Sequence, residues 1–160
     1  MMVWMLLASA LAADDSDIVV SHSFSASPEA VYAHLIDIAN VQAAAPESCM
    51  RGWVTYKSTE GLGTQFRVIY QMEGWRRRLD ASVVVAEQPR RIEWDHHGNR
   101  GFITRLTIAP KGSGAEVTMH TFINAPPWPF RRYFERKVQP TWRACYTELL
   151  DNVASVLGES

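Results

Sequence analysis

Four residues of this 160-residue chain have side chains that could move protons or bind a polar group of a ligand: His22, Tyr70, Arg77 and His96. The histidines could act as general acid and base, because an unperturbed imidazole has a pKa of about 6.5. Tyr70 could donate a hydrogen bond to a substrate oxygen. A histidine or tyrosine in a β-core is more often simply hydrogen-bonded there, so a structural role stays open for each.

The sequence contains none of the short motifs that mark common catalytic or nucleotide-binding sites. There is no G-x-S-x-G, no P-loop and no H-E-x-x-H. His96 and His97 are adjacent, so in a strand their side chains point to opposite faces and cannot easily share a metal ion. We therefore predict no metal site and no cofactor. The formal net charge of −1 gives no reason to expect a nucleic-acid partner.

Alternating apolar residues predict the strands that would position these side chains. Apolar and polar side chains alternate over residues 18–26, which predicts one half-buried strand. Ser27-Pro28-Glu29 then predicts the start of a helix. A second short helix is expected from Asn40 to Ala45. Residues 50–124 predict six strands joined by short turns, which indicates an antiparallel meander.

The C-terminal part predicts one long helix after a rigid connector, Ala-Pro-Pro-Trp-Pro at residues 125–129. Residues 130–157 carry apolar side chains at three- and four-residue intervals, and Pro140 is expected to kink the helix or divide it in two. A twisted sheet with one apolar face needs a cover, which only this helix is long enough to supply. The sequence therefore predicts one α+β domain over residues 17–160, with a sheet curled around the helix and an apolar cavity between them.

The inward faces of these elements supply the expected ligand-binding residues. Apolar walls with a few polar groups are typical of a small-molecule pocket. The residues that we expect to contact a ligand are Phe66, Val68, Tyr70, Trp94, His96, Thr104, Met119, Thr121, Trp142 and Tyr146.

Residues 1–16 form a separate apolar segment. The stretch VWMLLASAL leads into Ala10-Leu11-Ala12, which is similar to a signal-peptide cleavage site, although no Lys or Arg precedes it. A signal peptide and an apolar arm of the domain both stay open, and with them export and a cytoplasmic location. Cys49 and Cys145 are predicted to be inert, partly buried thiols, since a bridge between them is possible only in an exported chain.

The order of these elements, together with three short segments, resembles the START and polyketide-cyclase superfamily. The segments are residues 24–32 (FSASPEAVY), 61–66 (GLGTQF) and 87–94 (EQPRRIEW), and the resemblance covers about residues 17–158. It implies the helix-grip fold, a curved antiparallel sheet of about seven strands around a long C-terminal helix. It also implies that a hydrophobic small molecule of the lipid, polyketide or isoprenoid type binds inside.

The resemblance further implies that three connections meet at one end of the fold, around the mouth of the cavity. Arginine binds carboxylates and phosphates, and tryptophan favours membrane interfaces, so this mouth could recognise an anionic headgroup or contact an anionic membrane. A solvated arginine edge paired with nearby acids is the alternative. The expected mouth residues are Trp75, Arg76, Arg78, Arg100, Trp128, Arg131 and Arg132.

Three functions stay open at this point. The first is binding of a hydrophobic small molecule in the cavity. The second is an enzyme of the polyketide cyclase, aromatase or dehydrase type, in which His22, Tyr70, Arg77 or His96 moves protons. The third is a non-enzymatic protein-interaction module. We expect a monomer or a weak dimer.

Overall fold

The computed structural model describes residues 17–98, 100–124 and 126–158. The N-terminal segment 1–16, with its possible signal peptide, therefore lies outside the described residues. Within the described ranges the strands are β1 (Ile18–Phe24), β2 (Met50–Lys57), β3 (Gln65–Met72), β4 (Trp75–Glu87), β5 (Arg91–His97), β6 (Phe102–Lys111) and β7 (Gly114–Phe122). The helices there are α1 (Pro28–Leu35), α2 (Ile38–Ala44), α3 (Phe130–Tyr133) and α4 (Gln139–Val156).

The strands form one antiparallel sheet in the order β1-β7-β6-β5-β4-β3-β2. Strands β2 to β7 are neighbours in sequence order, as expected for a meander, and β1 pairs with β7. The register places Thr104 opposite Thr121 and Ala81 opposite His96. The predicted α+β helix-grip fold is confirmed.

The two short helices begin where side-chain caps allow it. The Ser27 hydroxyl accepts a hydrogen bond from the Ala30 N–H, and Pro28 occupies the first turn of α1, where no backbone donor is needed. Helix α2 begins at Ile38, two residues before the predicted start, because the Asp37 carboxylate accepts from the Ala39 N–H at 2.9 Å.

The C-terminal segment is divided close to Pro140, as the sequence predicts. Helix α3 leads into a π-helical turn, Phe134–Val138, and α4 begins at Gln139. Pro140 therefore lies in the first turn of α4, directly after the π-helical turn, and has no N–H to continue the backbone hydrogen bonds at that point. Helix α4 covers the concave face of the sheet with Trp142, Tyr146, Leu149, Leu150 and Val153, all of which are buried.

The expectation of two free thiols is wrong. Cys49 and Cys145 form a disulfide with a Cα–Cα distance of 6.1 Å. Cys49 lies just before β2 and Cys145 lies in α4, which packs near the end of α2. The Asn152 side-chain amide also donates to the Ala44 carbonyl across this contact, at 2.9 Å. The two cysteines are 96 residues apart in the sequence, and only the packing of the helix brings them together.

Candidate functional site

Tyr70 and His96 form a hydrogen-bonded pair on the concave face of the sheet. The Tyr70 hydroxyl lies 3.1 Å from Nε2 of His96, and both side chains are buried. They belong to β3 and β5, with β4 between them. Ala81 is the β4 residue opposite His96, and it is also opposite Phe66 of β3. This small residue is the direct β4 neighbour of the His96 ring.

A second buried polar group lies on β6, β7 and α4. The hydroxyls of Thr104 and Thr121 are 2.8 Å apart, as their cross-strand register requires. Thr121 also contacts the Tyr146 hydroxyl at 3.2 Å. Each hydroxyl can donate one hydrogen bond and accept others, so the three groups can satisfy one another away from water.

Burial keeps the Tyr70–His96 pair uncharged. Removal from water lowers the pKa of His96 to about 3, because the imidazolium ion loses its hydration. Burial likewise raises the pKa of the Tyr70 hydroxyl well above its usual value. At neutral pH the imidazole and the phenol are therefore both neutral, and the pair is suited to hydrogen bonding.

Aromatic rings separate this polar interior from solvent. The Trp142 ring lies 5.4 Å from Tyr70, 5.1 Å from Phe102 and 5.2 Å from Trp75, measured between ring centroids. Phe102 also lies 5.8 Å from Tyr70. These distances are within the range for favourable aromatic packing.

A pocket of about 170 Å³ opens on the outer side of these rings. It lies between the start of β4, the turn from β5 to β6, and the chain that leads into α3 and α4. We call it the mouth pocket. It is lined by Trp75, Arg77, Arg100, Gly101, Phe102, Ile123, Asn124, Pro126, Pro127, Phe134 and Trp142.

The expected ligand-binding residues lie deeper than this pocket. All ten are at most 1% exposed, and they pack against one another in the interior. Of the ten, Trp142 alone lines the mouth pocket. Their side chains fill much of the interior in which the sequence predicts a cavity.

The four candidate catalytic residues are divided among three places. Tyr70 and His96 form the buried pair, and Arg77 lines the mouth pocket. His22 lies apart from both. Its Nδ1 is 3.1 Å from a carboxylate oxygen of Asp151, where β1 meets α4.

The expected mouth residues also separate. Trp75 and Arg100 line the mouth pocket, whereas Arg76 and Arg78 are exposed. Alternation along β4 explains this, because Trp75 and Arg77 share one face and the residues between and after them take the other. Among the remaining three, Arg131 pairs with Glu135 at 2.7 Å, and Trp128 and Arg132 are exposed beside the pocket.

Several residues of the pocket wall were not in the expected set. Phe102 is two residues before the inward-facing Thr104, so the alternation of β6 was a usable signal for it. Pro126 and Pro127 lie in the Pro-rich connector, where no periodic pattern exists to show which side chains face inward. Phe134 lies in the helical segment, eight residues before Trp142, where the helical period was a usable signal.

Wider depressions lie elsewhere, two of them beside α2, one beside α1 and one at the end of β5. One of about 820 Å³ lies between α2 and β2 and is open to solvent; Gln42, Met50 and Trp53 contribute to it. The mouth pocket, by contrast, lies over the Tyr70–His96 pair, because its wall residues Phe102 and Trp142 pack against His96 and Tyr70. Among the described residues, no group of three or more His, Cys, Asp or Glu could hold a metal ion. No helix in the described ranges is long and apolar enough to cross a bilayer.

Comparisons with known proteins agree with this architecture. A family model described as polyketide cyclase / dehydrase and lipid transport matches residues 16–158. No curated protein matches the chain. Solved structures with the same fold include the KanY protein, at 24% identity over 87% of this chain and 94% of that one, with a TM-score of 0.72.

Two further structures show how widely the fold is shared. The protein TTHA0849 from Thermus thermophilus is 16% identical over 87% of this chain and 94% of its own, with a TM-score of 0.70. The Aha1 dimer from Colwellia psychrerythraea is 15% identical over 88% and 95%, with a TM-score of 0.59. At these identities the likeness extends to the fold alone.

Proposed function

Because the chain belongs to the polyketide cyclase / dehydrase and lipid transport family, we propose that it binds an apolar small molecule in the mouth pocket. The observation that carries this proposal is the wall of the pocket. Three aromatic rings, Trp75, Phe102 and Trp142, meet there over a buried polar group. An apolar surface with a few placed polar groups is what a small-molecule site requires.

The volume of the pocket limits the ligand in this conformation. An apolar cavity of about 150 Å³ holds one benzene ring, so 170 Å³ suits a single ring or a short acyl chain. Sites for larger organic ligands occupy about 300–1,000 Å³. A lipid, polyketide or isoprenoid would therefore enter with one end only, unless Trp142 or Phe102 moves aside.

The neutral Tyr70–His96 pair favours binding over acid–base catalysis. Efficient proton transfer needs a pKa near the working pH, and the pKa of His96 is about 3. The same pair can donate and accept hydrogen bonds to a carbonyl or hydroxyl that reaches it. A cyclase or dehydrase activity would require a ligand that brings charge or water to His96.

Calorimetric titration with a neutral single-ring probe, 3-phenylpropanamide, tests the proposal. Wild-type protein should bind it, and Trp75→Ala, which removes one wall, should weaken binding by about tenfold or more. Tyr56→Ala, which truncates an exposed ring on β2, is the matched control and should bind as wild type does. If folded wild-type protein takes up no such probe, the proposal is wrong.

A second proposal concerns the surface beside the pocket, where we infer contact with an anionic membrane. Trp128, Phe130 and Tyr133 are 82%, 67% and 51% exposed, within six residues of one another. The Tyr133 hydroxyl donates to the Glu73 carbonyl, which holds this surface next to the turn between β3 and β4. Exposed aromatic side chains in one patch are typical of protein or membrane contact.

Charge selects the membrane as the partner of this surface. Arg132, Arg136 and Lys137 are exposed beside the aromatic rings, and none of them has a described carboxylate within 4.0 Å. Each basic residue near an anionic bilayer contributes about 1 kcal/mol of attraction. Aromatic rings at headgroup level would then place the mouth pocket at the membrane surface.

Co-sedimentation with phosphatidylcholine vesicles, with and without phosphatidylglycerol, tests this contact. Wild-type protein should sediment with the anionic vesicles, and the double variant Trp128→Ala, Phe130→Ala should not. The control carries Tyr56→Ala and Val156→Ala, which remove exposed apolar groups elsewhere. Wild-type protein that stays in solution with anionic vesicles rules out the contact; equal binding to neutral vesicles removes the role of charge.

A further inference from the structure

We propose that the ligand of the mouth pocket carries a carboxylate, which Arg77 and Arg100 bind. The inference rests on the proposed function, because it concerns the same pocket. It narrows the ligand to an apolar body of about one ring or a short acyl chain that ends in an anionic group.

Arg77 enters the pocket because of its position on β4. It shares a face with Trp75 and Leu79, and its backbone is opposite Tyr70 of β3. Its guanidinium carbon lies 5.8 Å from the centroid of the Trp75 ring, within reach of a cation–π contact. This contact places the guanidinium beside the apolar wall, and its N–H groups can bind another partner.

Arg100 reaches the same pocket from the turn between β5 and β6. Its φ of 68° lies in the left-handed region, which a residue with a side chain seldom adopts. The next residue, Gly101, is packed so closely that a Cβ there would lie 2.1 Å from the His96 carbonyl oxygen. The turn is therefore fixed against β5, and it presents an arginine at a position where glycine or asparagine would be easier.

Neither arginine has an acidic partner in the described chain. No described carboxylate lies within 4.0 Å of Arg77 or Arg100, although both line a largely apolar pocket. Elsewhere on the sheet, partly exposed arginines are paired: Arg67 with Asp80 and Arg105 with Glu93, each at 2.6 Å. Arg77 is partly exposed and Arg100 is exposed, and as two unpaired cations at one largely apolar pocket they leave the counter-charge to the ligand.

A carboxylate on the ligand can pair with both unpaired guanidinium groups. A guanidinium fork can hold a carboxylate through two parallel hydrogen bonds, and two forks can share its two oxygens. The Asn124 side chain, also in the pocket wall, supplies an amide for a third contact. The ring or chain of the ligand would then lie against Phe102 and Trp142.

Matched probes separate charge recognition from apolar binding. Calorimetry would compare 3-phenylpropanoate with 3-phenylpropanamide, which have the same apolar body and differ in charge. Wild-type protein should bind the acid about tenfold more tightly, the effect of charged hydrogen bonds at a partly exposed site. Arg77→Gln and Arg100→Gly should each remove most of this preference, which is measured as the ratio of the two affinities within each variant and therefore does not depend on how the substitution changes apolar binding. Glycine suits the positive φ at position 100, so that variant should fold.

Arg78→Gln is the control, because Arg78 is the next residue on β4 and takes the opposite face. It should preserve the preference for the acid. Equal affinities of wild-type protein for the two probes would overturn the carboxylate inference and leave the proposed function intact. If wild-type protein does not bind the amide, the proposed function fails, and the inference that rests on it fails with it.

Discussion

Reduction of the Cys49–Cys145 disulfide should destabilise the protein strongly. The bond joins residues that are 96 apart in the sequence and links the start of β2 to the cover helix α4. In the chain-entropy description, a bridge that closes a loop of about 100 residues lowers the entropy of the unfolded chain by the equivalent of about 4.7 kcal/mol at 25 °C. Native bridges usually contribute about 2–5 kcal/mol, so we expect a loss of about 4 kcal/mol.

This loss is large compared with the total stability of a domain, which is about 5–15 kcal/mol. For a chain of this size, 1 kcal/mol corresponds to about 2–4 °C in Tm, so reduction should lower Tm by about 8–16 °C. Urea unfolding followed by circular dichroism, with and without a non-thiol reductant, measures the change. Thiol labelling in denaturant verifies the redox state of each sample.

The double variant Cys49→Ser, Cys145→Ser is the control. It should have the stability of the reduced protein and should not respond to reductant. The reasoning is refuted if the oxidised protein loses less than about 1 kcal/mol on reduction, or if the double variant is as stable as the oxidised wild type. Disulfides persist in oxidising compartments, which is the setting that export of the chain would provide.

Three further predictions concern the interior. Tyr70→Phe leaves Nε2 of His96 without its hydrogen-bond partner and should lower the free energy of unfolding by about 1–3 kcal/mol. The control Tyr56→Phe on the surface should change it by less than about 0.5 kcal/mol. Equal effects of the two substitutions would contradict a stabilising role of the Tyr70–His96 pair. Trp142→Ala should lower the free energy of unfolding by about 3–5 kcal/mol. Because it joins the mouth pocket to the space beside Tyr70, calorimetry should show a higher affinity for two-ring probes relative to one-ring probes. An unchanged ratio of these affinities would contradict the position of Trp142 as the inner wall. Burial lowers the pKa of His96 to about 3, below its value of about 6.5 in the unfolded chain, so the unfolded state binds more protons between these limits. The contribution of neutral His96 to the free energy of unfolding should therefore be fully present above about pH 6.5. It should fall toward acid pH by up to about 1.4 kcal/mol per pH unit. Urea unfolding between about pH 3 and pH 6.5 should show that the free energy of unfolding depends less steeply on pH in His96→Gln than in the wild type. The exposed His97→Gln is the control and should keep the wild-type slope. If His96→Gln also keeps that slope, His96 is not the cause of the pH dependence.

The fold could be predicted from the sequence because its signals are local. Alternation along β3 shows which side chains face the core, and Ser27 and Pro28 begin α1 wherever the helix lies in space. The same local physics places the break in the C-terminal helical segment near Pro140. Some boundaries were displaced: β1 ends at Phe24, two residues before the predicted end, and α2 begins two residues early, since the cap at Asp37 was not recognised as one.

The site could be predicted in part. Alternation determines that Tyr70 and His96 face the concave side, and the same rule places Arg77 inward and Arg76 and Arg78 outward. The expected mouth residues included Arg76 and Arg78 because these are close to Trp75 in sequence, although alternation along β4 places them outward. The wall contributed by Pro126 and Pro127 could not be foreseen, because an irregular connector has no period. Phe134 lies four and eight residues before Val138 and Trp142, so its helical spacing was a usable signal.

The sequence by itself determined the order of the elements, their caps and turns, and the inward or outward direction of each strand residue, since all of these depend on neighbours along the chain. Tertiary structure alone decided three other features: the Cys49–Cys145 bond, the contact of Tyr70 with His96, and the small volume left between the sheet and α4. The bond and the contact join residues far apart in the chain. The pocket is the small remainder after large side chains such as Trp142 have packed, so it depends on how those side chains are oriented, which periodicity does not specify.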